Sequence, residues 1–432
     1  MITIKKAEAE FIREPLLGPF GFKGKYVDEL WQIAVRLQTQ NNSAVGLGVQ
    51  SILWSDSSIF AQNCPSGGNA IMFAMTNYAV KLATGYSFHT PEDLLDYLLP
   101  KVLDYGKIIS GNPNMRTTFA LNSLVPLDFA AWILYAKEND FTTFDDIIPD
   151  DCKLAMNFKN EKISRIPLIT YNFNEKDIKN MMDQHDFFLK IKIGSDPDGD
   201  NDYRKMVEWD KQRICLIHNI AKNTSTPYTE NGNIPYYLDA NGRYPNKDLL
   251  LELLDYADQI GALERIVLLE EPFDELNEVD VHDLPVRVTA DESAHCEKDV
   301  AKRIQMGYQA IALKPIAKTL SMSFRILKIA HQKNIPCFCA DLTVNPLMLE
   351  WNKNFAARLQ PLPQMKIGVI ETNGHQNYQH WEAMESCHPY SSSKFTRIQD
   401  GVYHLDNDFY TSGGGIFENS SFYNNFFKIE KG

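Results

Sequence analysis

The chain has 432 residues, with 43 Lys and Arg against 56 Asp and Glu, a formal net charge of −13. A hydrophobic share of 44% and a charged share of 23% are those of a folded globular chain and exclude disorder as its main state. The acidic balance also argues against a nucleic-acid or anionic-membrane partner, which would call for clustered Lys and Arg.

The opening residues, MITIKKAEAEFIREP, contain no apolar core, so no secretory signal is expected. A strand-like stretch is followed by an amphipathic segment at 26–40 and by helical patterns at 91–103 and 121–139. Residues 1–160 therefore read as an α+β domain. The best apolar run, 129–136, is too short to span a bilayer.

From about residue 164 a rhythm sets in. Eight apolar runs recur, 166–170, 187–193, 234–239, 265–270, 286–291, 310–314, 336–341 and 366–371, and all but 187–193, whose last polar residue is Lys192, close on a polar residue. Most gaps between them carry helical patterns. In 246–261 leucines recur at helical spacing and Gly261 is placed to end the helix; 298–307 and 321–332 behave alike. Continuous apolar strands alternating with helices mean parallel strands buried on both faces. Eight such units over 161–385 favour a (β/α)8 barrel, a TIM-type α/β fold, over an open sheet.

The longer gap at 194–234 begins with acids at 196, 198 and 200, the spacing of a calcium loop. Asn201 and Val207 stand where that loop needs Gly and Glu, so the stretch reads as a polar loop and helix cap. Residues 386–432, rich in Tyr, Phe, Asn, Ser and Gly, are expected to pack back on the first domain. The glycines at 413–415 read as a turn, because no phosphate-binding Lys-Ser/Thr follows. Seven scattered cysteines suggest a reduced, cytoplasmic setting, with Cys337 and Cys339 as packing residues.

In a parallel barrel the carboxyl ends of the strands carry the chemistry. Here those ends hold Lys190 and Lys192, Asp239, Glu270 or Glu271, Asp291, Lys314, Asp341 and Glu371. Three successive strands ending in carboxylates offer hard oxygen ligands for Mg²⁺ or Mn²⁺, and the lack of His and Cys there argues against Zn²⁺. Lys190 and Lys192 share one side of their strand and should depress each other's pKa, as should burial and a nearby divalent cation. Lys314 stands four strands further round. A metal between opposed lysines suits removal of a proton beside a carboxylate, through an enediolate whose charge the metal offsets.

KIKIG at 190–194, DANGRY at 239–244, EEP at 270–272, ADES at 290–293 and LKP at 313–315 together resemble the enolase superfamily. The likeness is to its mandelate racemase/muconate lactonizing enzyme family, in the branch that holds dipeptide epimerases and o-succinylbenzoate synthases. It implies Mg²⁺ held by Asp239, Glu270 and Asp291, with Glu271 facing away. It implies acid/base roles for Lys192 and Lys314, a tuning role for Lys190 and a polar role for Asn241. Residues 1–160 become a capping domain whose loops at 18–24 and 48–59 select the substrate. Glu371, and His375 beyond it, are placed to meet substrate. Family members are often dimers or octamers, which makes a homo-oligomer the expectation.

Two departures bear on the substrate. The seventh strand, CFCADL, lacks the His of the mandelate racemase-like and many dehydratase branches. The eighth, IETNGHQ, lacks the Asp-x-Asp with which dipeptide epimerases grip an ammonium. The resulting expectation is a racemase or epimerase of a small-molecule acid, an N-acyl amino acid or a dipeptide-like compound. The alternatives are an acid-sugar dehydratase or o-succinylbenzoate-type synthase and a non-catalytic metal-binding barrel. A barrel metal hydrolase is disfavoured, because ITYNF at 169–173 offers no histidine.

Overall fold

A computed structural model describes residues 1–22, 25–196, 198–418 and 420–428; part of the 18–24 loop lies outside them. Lys6–Phe22, Lys25–Gln38 and Ser43–Gln50 form an antiparallel sheet in chain order, and the amphipathic segment read at 26–40 is its middle strand. Helix Thr117–Glu138 packs on Ser43–Gln50. The approach needs glycine at 46, where a Cβ would stand 2.1 Å from the Pro126 carbonyl oxygen and 2.3 Å from Ala130 N.

That helix is 22 residues long and, by length and composition, apolar enough to cross a membrane, which the run at 129–136 alone does not reveal. Its most apolar window is 94% buried within the protein. The sheet covers one side, and the helices Pro315–Lys318 and Leu320–Gln332 meet it on another. Asp128 fixes this contact. Its carboxyl accepts Leu320 N at 2.9 Å, Ser321 N at 3.2 Å and Ser321 Oγ at 2.5 Å, so a side chain of one helix caps the start of another.

The eight apolar runs form one parallel ring. Its strands are Lys162–Ile166 continued by Leu168–Ile169, then Leu189–Lys192, Tyr236–Asp239, Ile266–Glu270, Val288–Ala290, Ala310–Leu313, Cys337–Cys339 and Gly368–Glu371. Pro167 splits the first strand, which starts four residues before the apolar run at 166–170. One half pairs with Gly368–Glu371 and the other with Leu189–Lys192, so the ring closes through the proline. Helices follow the strands except after Ile266–Glu270, where 271–287 is irregular.

The acids near 196–202 serve their own helix. Asp202 caps Tyr203–Ala221, and Lys205 Nζ holds Asp198 at 2.8 Å and Asp200 at 2.7 Å. In the C-terminal segment, Ile398–Gln399 and Val402–His404 add an antiparallel hairpin to Lys162–Ile166. The glycine turn Gly413–Gly415 sits against helix Pro346–Ala356, and Phe427 lies under the Arg36 guanidinium at 4.2 Å, so the segment touches both barrel and sheet.

Candidate active site

Strands that are apolar throughout must release their polar residues where the sheet ends, and the ring gathers those ends at one mouth. Lys190, Lys192, Asp239, Asn241, Glu270, Asp291, Lys314 and Glu371 line one cavity of about 700 Å³ there. The N-terminal sheet and the turn after it roof this cavity through Phe20, Val27, Leu30 and the stretch from Gln50 to Trp54.

Lys190 is the hub. Its Nζ donates to Glu270 Oε2 at 2.9 Å and Glu371 Oε2 at 3.0 Å, and lies 3.0 Å from Asp239 Oδ2 and 3.3 Å from the Tyr237 hydroxyl. Lys192 Nζ donates to Asp239 Oδ2 at 2.6 Å and to Asn241 Oδ1. From the far side Lys314 pairs with Asp291 Oδ2 and lies 4.4 Å from the Trp54 ring centre.

The charges run against the expected lowering of the lysines. Burial does pull Lys190 and Lys314 down, but the surrounding carboxylates outweigh it and hold both above the ordinary lysine value. Asp239, Glu270 and Glu371 act on Lys190; Asp291 acts first on Lys314. The acids divide. Burial opposes ionisation of Asp239 and Asp291, yet Lys190 and Lys192 hold the first low, and Lys314 and Lys318 the second. Burial pushes Glu270 up to about 8 against the pull of Lys190, with Asp291 and Glu292 adding to the rise.

Among the described residues, one group of carboxylates has the spacing of an ion site. It comprises Glu270, Asp291 and Glu292, with ligand oxygens within 4.8 Å of one another. All are oxygen donors, a set that suits a hard divalent cation. Glu292 does not stand out among the strand ends in the sequence. Asp239 is in register with Glu270 on the adjoining strand and touches the same Lys190. Lys318 is likewise missed by a reading of strand ends, although it lies four residues beyond Lys314, one helical turn on. Its Nζ donates to the Asp291 carbonyl at 2.6 Å and approaches Asp291 Oδ1 at 3.4 Å.

Glu271 faces away from the cavity and supports Asp291. Its Oε1 accepts Asp291 N at 2.6 Å, Ser293 N at 2.9 Å and Ser293 Oγ at 2.7 Å. Asn241 bridges Lys192 to Glu292, donating Nδ2 to Glu292 Oε1 at 3.0 Å. His375 departs from the expected substrate contact: it lines a separate cavity and accepts Arg165 Nη1 at 3.1 Å. Burial and that guanidinium push its pKa down to about 3. Arg165 lines the same second cavity and also donates Nη2 to Asp186 Oδ2 at 2.6 Å.

No family model and no curated protein matches the sequence. Solved structures match in fold. The substrate-liganded L-Ala-D/L-Glu epimerase from Bacillus subtilis superposes with a TM-score of 0.65 at 15% identity, covering 94% of this chain and 97% of that one. A dipeptide epimerase from Enterococcus faecalis complexed with Mg and L-Leu-L-Tyr gives 0.63 at 14%, over 88% and 92%. The N-succinyl Arg/Lys racemase from Bacillus cereus gives 0.62 at 14%, over 88% and 89%. The chain therefore has the capped-barrel fold of the mandelate racemase/muconate lactonizing proteins of the enolase superfamily.

Proposed function

We propose that the protein is a Mg²⁺-dependent racemase or epimerase that removes and returns the proton α to a substrate carboxylate. One observation carries this reading: Lys192 and Lys314, on strands four apart in an eight-stranded ring, enter one cavity from opposite sides of a carboxylate cluster. A substrate α-carbon between them presents one face to each ammonium, so one lysine takes the proton and the other supplies one to the opposite face. The buried ammonium of Lys314 is in the donating state. Lys190, tied to three carboxylates, positions them and does not turn over.

Asp239, Glu270 and Asp291 would hold the cation, with Glu292 beside the last, and dipeptide epimerases of like fold are complexed with Mg. When bound, a divalent cation supplies positive charge that offsets these carboxylates, eases their hold on the Lys314 proton and stabilises the charge that gathers on a substrate carboxylate. Trp54, Leu53 and Ile52 shield the mouth from water.

The test is α-proton exchange in D₂O, followed by NMR, over a pooled library of α-substituted acids, N-acyl amino acids and dipeptides with Mg²⁺. Exchange should require the cation, and inversion at the α-carbon should vanish in both Lys192→Ala and Lys314→Ala. Elimination products without exchange, or ligand-induced stabilisation without turnover, overturn the reading.

A further inference from the structure

The barrel carries a second cavity of about 1030 Å³, which shares no lining residue with the first. Strand eight is followed only by the short helices Gly374–Asn377 and Trp381–Ser386. The cavity wall there is completed by the start of helix Pro346–Ala356, by the C-terminal segment up to Tyr403 and by Arg165 of strand one. The proton-transfer chemistry uses none of these groups.

Several of its polar groups are donors without an acceptor. A guanidinium can only donate, so the His375 Nε2 that meets Arg165 Nη1 at 3.1 Å is the bare nitrogen and Nδ1 carries the hydrogen. The ring stays neutral, because burial and Arg165 push its pKa down to about 3. Tyr403 is 3% exposed, yet among the described residues no hydrogen bond engages its hydroxyl. A buried tyrosine hydroxyl usually finds a partner. Burial pushes its pKa up, which keeps the proton on. Trp381 Nε1 is also without an acceptor among the described residues, and its ring centre lies 6.2 Å from that of His375.

The acids nearby are answered within the protein or stand in water. Glu350 Oε1 accepts Lys353 Nζ at 2.7 Å and has His388 Nε2 3.6 Å away. Tyr390 N donates to His388 Nδ1 at 2.9 Å, so Nε2 carries the hydrogen and turns it to Glu350. Glu350 Oε2 is buried without a partner and lies against Gly414, where a Cβ would stand 2.5 Å away. Asp186 takes Arg165 Nε at 2.8 Å and Nη2 at 2.6 Å, which leaves Nη1 for other partners. Glu385 and Arg397 are exposed at the rim.

We propose that this cavity is a second binding site, separate from the proton-transfer centre, for a small monocarboxylate with an apolar body. The carboxylate oxygens take the Tyr403 hydroxyl, His375 Nδ1–H and the remaining hydrogen of Arg165 Nη1. The Trp381 ring, Pro346, Leu349 and Ile398 receive the apolar part. Neutral donors meet a single spread charge well. A phosphate dianion brings a second charge, and the one buried guanidinium is already paired with Asp186. The inference does not depend on the α-proton chemistry.

The test is titration calorimetry on the full chain with EDTA present, so that no cation draws carboxylates to the first cavity. The probes are hydrocinnamate and hexanoate, each beside its primary amide, with phenyl phosphate as the dianion. Both carboxylates should bind at one site per chain, at least about tenfold tighter than the amides, the scale of a hydrogen bond to a charged group. Tyr403→Phe keeps the ring and deletes one donor, and should weaken the carboxylates about tenfold without moving the amides. His375→Phe should act alike, and the melting temperature shows that each variant is folded. Lys314→Ala, in the first cavity, should bind the carboxylates as the parent protein does. Binding lost in Lys314→Ala and kept in Tyr403→Phe places the ligand in the first cavity and overturns the proposal. Equal affinity for the amides, tighter binding of phenyl phosphate, or no binding of either carboxylate overturns it as well.

Discussion

Glu271 Oε1 accepts the backbone N–H of Asp291 at 2.6 Å, so the two adjacent glutamates of the fourth strand have opposite duties. Glu270 faces the cavity, and Glu271, with φ at +38°, turns back to carry the loop that presents Asp291. Glu271→Ala removes all three hydrogen bonds on Oε1 at once. Loss of such a supporting partner typically lowers metal affinity about 10–100-fold. We expect that drop in Mg²⁺ affinity by titration calorimetry, with Glu271→Gln, which keeps an acceptor oxygen, restoring most of it. Unchanged affinity in Glu271→Ala would remove the supporting role.

The carboxylates should separate by function in the same titration. Asp239→Asn, Glu270→Gln and Asp291→Asn each delete a strand-end ligand and should weaken Mg²⁺ binding at least about tenfold, on the scale of a lost charged contact. Glu292→Gln should cost less than about threefold, because the Asn241 amide already engages its carboxylate at 3.0 Å. A Glu292 variant as damaging as Glu270→Gln would move the third ligand from Asp239 to Glu292.

Much of the ring is legible in the sequence because strands buried on both faces read as uninterrupted apolar runs, and their ionisable ends stand out. Lys190, Lys192, Asp239, Asp291 and Lys314 can all be picked out by position alone, and the fourth strand's ligand is narrowed by position to Glu270 or Glu271. Lys318 and Glu292 cannot: one acts across a helical turn after strand six, and the other adjoins a strand end without being one. The charge state of Lys190 escapes a linear reading for a related reason. Two lysines on one strand suggest mutual repulsion, but the acids that dominate come from strands three, four and eight and converge only in the folded ring. His375 shows the same limit: its partner Arg165 comes from the first strand, 210 residues earlier in the chain.

The close seating of the long apolar helix on the sheet sets another expectation. Gly46→Ala places a methyl against the backbone at Pro126 and Ala130, where no side chain can swing away. Overpacking of this kind costs about 1–3 kcal/mol, and a backbone clash belongs at the upper end. The urea midpoint should fall accordingly, while Gly18→Ala, with nothing within 4 Å of its Cβ, should leave it unchanged. Equal midpoints for the two variants would mean that the helix seats differently.

Asp128 links the same helix to the barrel and makes stability depend on pH. Burial pushes its carboxyl up to about 7 from 3.8, against the hydrogen bonds from Ser321 and Leu320. The folded protein therefore keeps this proton between about pH 4 and 7, where the unfolded chain has released it. Unfolding releases a proton across that window, so the contribution of Asp128 to stability falls as pH rises and is lowest above about pH 7. A tenfold difference in proton affinity is worth about 1.4 kcal/mol, which bounds the loss at about 4 kcal/mol. Asn imitates the neutral form: its oxygen accepts from Leu320 N and Ser321 N, and its amide donates to Ser321 Oγ. Asp128→Asn should match the parent protein in urea unfolding near pH 5 and exceed it near pH 8. Parallel stability curves for the two proteins would show that Asp128 is ionised throughout and that its hydrogen-bonded cap, not its proton, carries the contact.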